Sequence, residues 1–417
     1  MTTRASALLF LASLSAAACS AQPPAPPSAS EPGPTGGGAA PGGTSSGGSP
    51  GAPSGPEAEP VRPEEAKAPP CIDATAAARD REERIRDGRG EASLRVASGD
   101  GCQRTYRLAT TQPLREGLPG NPRTVAERSD GPAVRSGNVA FDALYALALE
   151  ETRSGSVESI RDGAFANGAP LTCAPGGCFR TGRLWTYVWT RDTAYAAHLG
   201  LGALDPTRMR NSLEFKLSPP RGGGGLEVVQ DTGTGGSYPI STDRVVWALG
   251  AERQLSFLPA AESAAFAGRT LEALRGTLER DRQVAFDEGD GLYRGETSFL
   301  DWREQTYPAY TAQDTTAIGS SKALSTNVGH YAALRLAARL ARPSDASVAD
   351  RYDGWAEALK QRINTRFFVE EAGLFSSYTG PAFDEAPFRK YDALGIALAI
   401  LTGVVDGERG RTALARY

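Results

Sequence analysis

Residues 185–193, Trp185-Thr-Tyr187-Val-Trp189-Thr-Arg191-Asp192-Thr193, carry the densest signal in the chain. Three aromatics alternate at a spacing of two, and a helix-compatible run opens at Thr190. On an extended segment residues two apart share a face, so Trp185, Tyr187 and Trp189 are expected side by side. Flat aromatic faces suit the C–H patches of sugar rings, whose hydroxyls then turn to carboxylates and guanidinium groups. Arg191 and Asp192 stand next to that face. A plainer reading fits the same residues: the aromatics are core, and Asp192 is a carboxylate in a helix's first turn. Spacing alone leaves both open.

Outward from this segment the chain reads as helices. Val139–Leu149 places apolar residues at i, i+3, i+4 and i+7. The same period marks Thr193–Leu204, Pro206–Leu217, Asp243–Leu258, Ala260–Arg280, Thr326–Leu340, Asp350–Phe367, Tyr391–Thr402 and Gly407–Tyr417. Convincing strands are few. Ser93–Ala97 and Arg104–Leu108 flank Gly99-Asp-Gly101 and predict a β-hairpin. The expected fold class is therefore mainly α, stacked helical hairpins with function on long Gly-rich loops, after a small β-containing region at 71–135. Gln230-Asp-Thr-Gly-Thr-Gly-Gly-Ser237 is one such loop. It lacks the G-x-x-x-x-G-K-[ST] spacing of a phosphate-binding loop.

The chain has 417 residues, with 45 Lys and Arg against 49 Asp and Glu, a net charge of −4. That balance argues against a nucleic-acid protein with a basic face. Arg4, the apolar run Ala5–Ala18 and Cys19 after three alanines read as a lipoprotein-type export signal over residues 1–19, with Cys19 lipidated; a plain signal peptide cut near Ala18 is the rival. Ser20 after the cysteine points to an outer-membrane-anchored lipoprotein of the cell envelope, facing the periplasm or the exterior. Residues 20–70 hold 14 Pro and 10 Gly and no aromatic. They are expected to stay disordered as a tether. Export agrees with four further cysteines, expected to pair as Cys173–Cys178 and Cys71–Cys102. Two histidines, His198 and His330, and the absence of CxxC spacing leave no basis for a metal site.

At this point the sequence resembles a family. Trp189-Thr-Arg-Asp-Thr193 is similar to the WTRD or WGRDT segment of glucoamylases and of the glucosidase domain of glycogen-debranching enzymes, both six-hairpin (α/α)6-toroid glycosidases. Ser298-Phe-Leu-Asp301-Trp302-Arg303-Glu304 resembles their Thr-Trp-Met-Asp segment, which carries the general acid. Ser325-Thr-Asn327-Val-Gly-His-Tyr331 resembles a later helix of the group. Tyr238-Pro-Ile-Ser-Thr-Asp243-Arg-Val-Val-Trp247 falls where those enzymes open an inner helix with Asp. The likeness covers residues 136–417, in matching order. It implies a six-hairpin glycosidase-like domain there, hydrolysis of an α-glucoside-type oligo- or polysaccharide with inversion, and no cofactor.

An inverting glycosidase needs a protonated carboxyl at the glycosidic oxygen and a carboxylate that activates water, about 6.5–9.5 Å apart. The resemblance points to Asp301 as the acid, flanked by apolar Leu300 and Trp302 that favour a raised pKa. Glu304 competes, since glucoamylases use Glu at about this stage. Arg303 would lower the pKa of either. Trp185, Tyr187, Trp189, Arg191, Asp192, Asp243, Trp302 and Asn327 are the expected substrate contacts. For Asp243, a first-turn carboxylate after a Ser241 or Thr242 cap is an equally good reading. About nine helices are legible against the twelve of a full toroid, and no segment matches the late Glu that serves the family as base. The expectation is a chain lacking its last hairpins, with the base beyond Tyr417. Two rivals stand beside this: a non-catalytic glycan-binding surface lipoprotein, and a toroid-fold polysaccharide lyase, which the near-neutral charge does not favour.

Overall fold

The computed structural model of the chain describes residues 82–99, 103–114, 120–163, 165–220, 224–228, 243–295, 314–380 and 387–417. The described residues are mainly α, with ten α-helices and small scattered sheets.

The expected hairpin forms, as the centre of a four-stranded antiparallel meander: β1 (Glu82–Asp87), β2 (Gly90–Gly99), β3 (Arg104–Thr110) and β4 (Arg123–Ala126). Leu94 pairs with Leu108 and Val96 with Tyr106, and a register shift follows Val96. The period-2 pattern turns Leu94, Val96, Tyr106 and Val125 to one face. There they pack on Val139, Ala140, Ala143 and Ala146 of α1 (Val139–Gly155). Asn138 starts that helix by accepting the Phe141 N–H at 2.9 Å. β1 reads as Glu-Glu-Arg-Ile-Arg-Asp, too charged to predict as a strand. It lies at the sheet edge, where charge suits an unpaired ladder.

The remaining helices are α2 (Thr190–His198), α3 (Pro206–Glu214), α4 (Asp243–Leu255), α5 (Ala260–Val284), α6 (Thr315–Ser320), α7 (Leu324–Ala341), α8 (Ala346–Arg366), α9 (Ala393–Leu401) and α10 (Gly407–Arg416). α4 and α7 are buried nearly all round over most of their length. Helices of that kind belong between other helices. Specific contacts give their directions. Ala194 of α2 faces Gly250 of α4, and a Cβ on Gly250 would meet the Ala194 carbonyl oxygen at 2.7 Å. Val245 of α4 faces Gly329 of α7, and Glu252 pairs with Arg339 at 2.7 Å. Both pairs advance together along the two helices, so α4 and α7 run parallel. Leu324, at the start of α7, meets Gly395, near the start of α9.

The longer helices between them run the other way. Arg244, near the start of α4, pairs with Asp281, near the end of α5, at 3.0 Å, while Ser263 donates to Leu255 across the connection. α7 and α8 form a second antiparallel hairpin, tied by Arg335–Asp353 and by Arg342 to Asp350 and Asp353. α5 and α8 are parallel to each other, joined by Arg275–Asp345 and Glu279–Arg351. One row of buried helices, α2, α4, α7 and α9, thus alternates with a second row that includes α5 and α8. Within the first row the beginnings of neighbouring helices meet at one end.

Helix limits differ from the sequence expectation by a few residues. α8 begins at Ala346 rather than Asp350 because Asp345 caps it, accepting the Val348 N–H at 3.0 Å. α6 was not expected: it spans six residues of Thr, Ala, Ile, Gly and Ser. Asp314 starts it by accepting from Thr316 and Ala317.

Candidate functional site

Residues 185–189 are irregular rather than a strand. The loop is pinned by Gly182 N–H to the Trp185 carbonyl at 3.0 Å, Thr181 N–H to the Tyr187 carbonyl at 2.9 Å, and Trp189 N–H to the Thr181 hydroxyl at 3.1 Å. The three aromatics do cluster: Trp189 meets Trp185 edge-on at 6.2 Å and Tyr187 edge-on at 5.4 Å. Tyr187 is not the open platform expected from alternation. Phe165 stacks on it at 3.7 Å, Phe215 approaches its edge, and the Lys216 ammonium lies 4.4 Å from its centroid. That leaves Tyr187 8% exposed, a core ring of this cluster, whereas Trp185 and Trp189 are partly exposed. The buried Trp189 indole N–H has no hydrogen-bond partner among the described residues.

The cluster rests on the Cys173–Cys178 disulfide, which closes as expected. The Asn211 side chain holds that loop by donating to the carbonyls of Ala174, Pro175 and Gly177. Cys19, Cys71 and Cys102 lie outside the described residues.

Arg191 and Asp243 come from helices well apart in sequence, and the parallel packing of α2 on α4 brings them together. Arg191 Nε lies 3.5 Å from Asp243 Oδ1, with both side chains buried. Asp192, one residue on, is exposed on the first turn of α2. The expected contact Trp302 and the candidate acids Asp301 and Glu304 lie outside the described residues, as do the glycine loop 230–237 and Tyr238–Thr242.

Asn327 has a different task from the substrate contact expected of it. Its Oδ1 accepts the Tyr293 N–H at 2.8 Å, and its Nδ2 donates to the carbonyls of Tyr293 at 3.0 Å and Ala323 at 2.9 Å. The residue is fully buried. Its amide is occupied by main chain, where it pins the short hairpin of Phe286–Asp287 and Leu292–Tyr293 to the start of α7.

Sequence reasoning missed a buried ionic chain directly behind Asp243. Arg244 is fully buried and pairs with Glu227 at 3.2 Å and Asp281 at 3.0 Å. Asp281 in turn lies 3.4 Å from His330 Nε2. His330 Nδ1 is 2.9 Å from the Thr326 carbonyl, and the ring stacks on Tyr293 at 3.7 Å. Burial pushes the Tyr293 hydroxyl well above the usual phenol range. The available signal was charge beside an apolar run: Asp243 and Arg244 directly precede Val245–Ala251 in α4. Burying such an arginine is tolerable only where carboxylates surround it. A second buried cation, Lys322, sits before α7 against Asp287 at 3.0 Å and Asp290 at 2.9 Å. Burial opposes ionisation of Asp287, yet Lys322, the Gly289 N–H and Arg294 hold its pKa below the usual value.

Asp392 caps α9, accepting the Gly395 N–H at 2.5 Å. Burial raises its pKa, against the pull of the Gly395 and Leu394 N–H groups. Arg191 of α2 thus meets Asp243 at the start of α4, with Arg244 next in the same turn, while Asp392 caps α9 where that helix meets Leu324 of α7.

No protein-family model matches the chain, and no curated protein matches it. Among solved structures, it is similar to a GH78 family rhamnosidase of Bacillus sp. GL1, with 21% identity and a TM-score of 0.33. The likeness covers 42% of this chain, which spans 17% of the length of that one.

Proposed function

We propose that residues 136–417 form a glycosidase-like domain of the (α/α)6-toroid kind, acting on an α-glucoside-type oligo- or polysaccharide with inversion. The observation that carries this reading is the buried Arg191–Asp243 contact. Two residues expected as sugar contacts, in separate motifs of one family resemblance and in the same order, meet at the adjoining starts of two parallel helices. The alternation of a buried helix row with an antiparallel row supports the hairpin architecture. The unpartnered indole N–H of Trp189 supports a polar ligand beside the pair.

In this reading Trp185 and Trp189 receive the apolar face of a pyranose. Arg191, Asp192 and Asp243 hold its hydroxyls, with Trp302 beside them. Asp301, with Glu304 as the competing choice, protonates the glycosidic oxygen, and a carboxylate on the opposite face takes a proton from the attacking water. The chain is exported and held at the cell envelope, outer membrane included, through a lipid on Cys19, with residues 20–70 as the tether and 71–135 as a small N-terminal region. The assignment of the acid is tested by comparing the full chain with Asp301→Asn and Glu304→Gln on aryl α-glucosides of good and poor leaving groups. Loss of the acid slows the poor leaving group far more than the good one. Equal behaviour of both variants and the parent overturns the assignment.

A further inference from the structure

A separate cavity of about 270 Å³ lies between the end of α5, the hairpin turn of residues 288–291, and α8. Its walls carry Arg282, Phe286, Glu288, Trp355, Leu359 and Arg362. The Arg282 guanidinium carbon stacks 3.4 Å from the centroid of Phe286 and lies 5.0 Å from that of Trp355. Stacking fixes the guanidinium in its plane; part of its N–H fork faces the Tyr293 hydroxyl, and the rest is left for a ligand. Arg362 is set from the other side, its stem lying so close to Gly291 that a Cβ there would meet Arg362 Cγ at 2.9 Å. Gly291 also adopts φ +75°, which only glycine takes readily.

The charge pattern departs from the rest of this surface. Neighbouring arginines are paired, as Arg351 is with Glu279 and Arg275 with Asp345. Among the described residues neither Arg282 nor Arg362 makes an ion pair, nor does Glu288. Two unpaired guanidiniums and one carboxylate give the cavity a net charge of +1, beside an apolar wall of Leu359 and ring edges. That combination complements a monoanion whose body has both C–H faces and hydroxyls.

We propose that this cavity binds an acidic sugar of the uronate class. Its carboxylate would be held by Arg282 and Arg362, its hydroxyls by Glu288 and its C–H face by Trp355 and Phe286. The site stands independently of the glycosidase reading, since it shares no residue with the Arg191–Asp243 end.

The test titrates the full chain with sodium glucuronate, glucose and inorganic phosphate, reading heat and tryptophan fluorescence. Arg362→Gln is the main variant. It keeps the aliphatic stem against Gly291 and removes only the exposed charged end, and a thermal melt checks its fold. Glucuronate is expected to bind with Kd of about 1 mM, to lose at least tenfold in Arg362→Gln, and to remain bound in Asp243→Asn. Glucose is expected to show no saturable signal. The proposal is overturned if glucuronate gives no saturation by about 50 mM, if Arg362→Gln binds it like the parent, or if phosphate or glucose binds as well as glucuronate does.

Discussion

Arg191 Nε stands 3.5 Å from Asp243 Oδ1, a contact between the second residue of one helix and the first residue of its parallel neighbour. Removing one member of a buried ionic pair leaves the other without its compensation, which costs about 3–5 kcal/mol. Asp243→Asn and Arg191→Met are each expected to lower stability in this range by urea unfolding. The double variant is expected to fall short of the sum by more than about 1 kcal/mol. Additive effects would mean that the two side chains do not act as a pair.

The parallel packing behind that contact depends on the absence of one Cβ. A methyl at Gly250 would lie 2.7 Å from the Ala194 carbonyl oxygen and 2.9 Å from its Cα, both backbone atoms that cannot rotate away. Gly250→Ala is therefore expected to cost about 1–3 kcal/mol through overpacking, in spite of alanine's better helix propensity. Unchanged or raised stability in thermal unfolding would show that α2 and α4 do not approach this closely.

Asn327 separates structural from ligand-binding roles. Its amide makes three hydrogen bonds to main chain. At about 1 kcal/mol each, plus the penalty for stranded buried groups, Asn327→Ala is expected to cost about 3–5 kcal/mol. Sugar affinity of the folded fraction should not change. A variant of normal stability that has lost sugar binding would restore the contact role.

The N-terminal sheet should be acid-sensitive through Glu127. Its carboxylate accepts from Arg135 at 2.6 and 2.7 Å, from the Arg104 N–H at 2.8 Å and from the Tyr106 hydroxyl at 2.9 Å. Burial works to raise its pKa, but these donors together lower it below the ordinary Glu value of 4.5. A carboxyl with a depressed folded pKa binds fewer protons folded than unfolded. Its stabilisation is thus complete above about pH 4.5 and is lost as pH falls through the folded value. Glu127→Gln is expected to lower stability at neutral pH and to flatten the acid limb of the stability profile. An acid limb as steep as the parent's would assign it to other carboxylates.

Much of this architecture is legible in the residues, for physical reasons that also mark where legibility ends. Long amphipathic segments such as Ala260–Arg280 and Asp350–Phe367 declare themselves by period, and the Leu94/Val96 alternation declares a strand. β1 and α6 escape because one is charged at a sheet edge and the other is six residues long. At the site, the 185–193 motif located Arg191 and its aromatic neighbours, but alternation could not say that Phe165 and Lys216 cover the faces of Tyr187. The chain Glu227–Arg244–Asp281–His330 was illegible because its members lie on four separate segments, and only tertiary packing puts charge next to charge.

The most direct measurement follows the anomer released when the full chain acts on a panel of α- and β-glucosides, by proton NMR in the first minutes of reaction. The account predicts turnover of an α-glucoside with initial release of the β-anomer, abolished by substitution of Asp301 or of Glu304. Sugar binding without release of any product would contradict the glycosidase reading and make the chain a glycan-binding protein. Release with retained configuration would contradict the inverting mechanism.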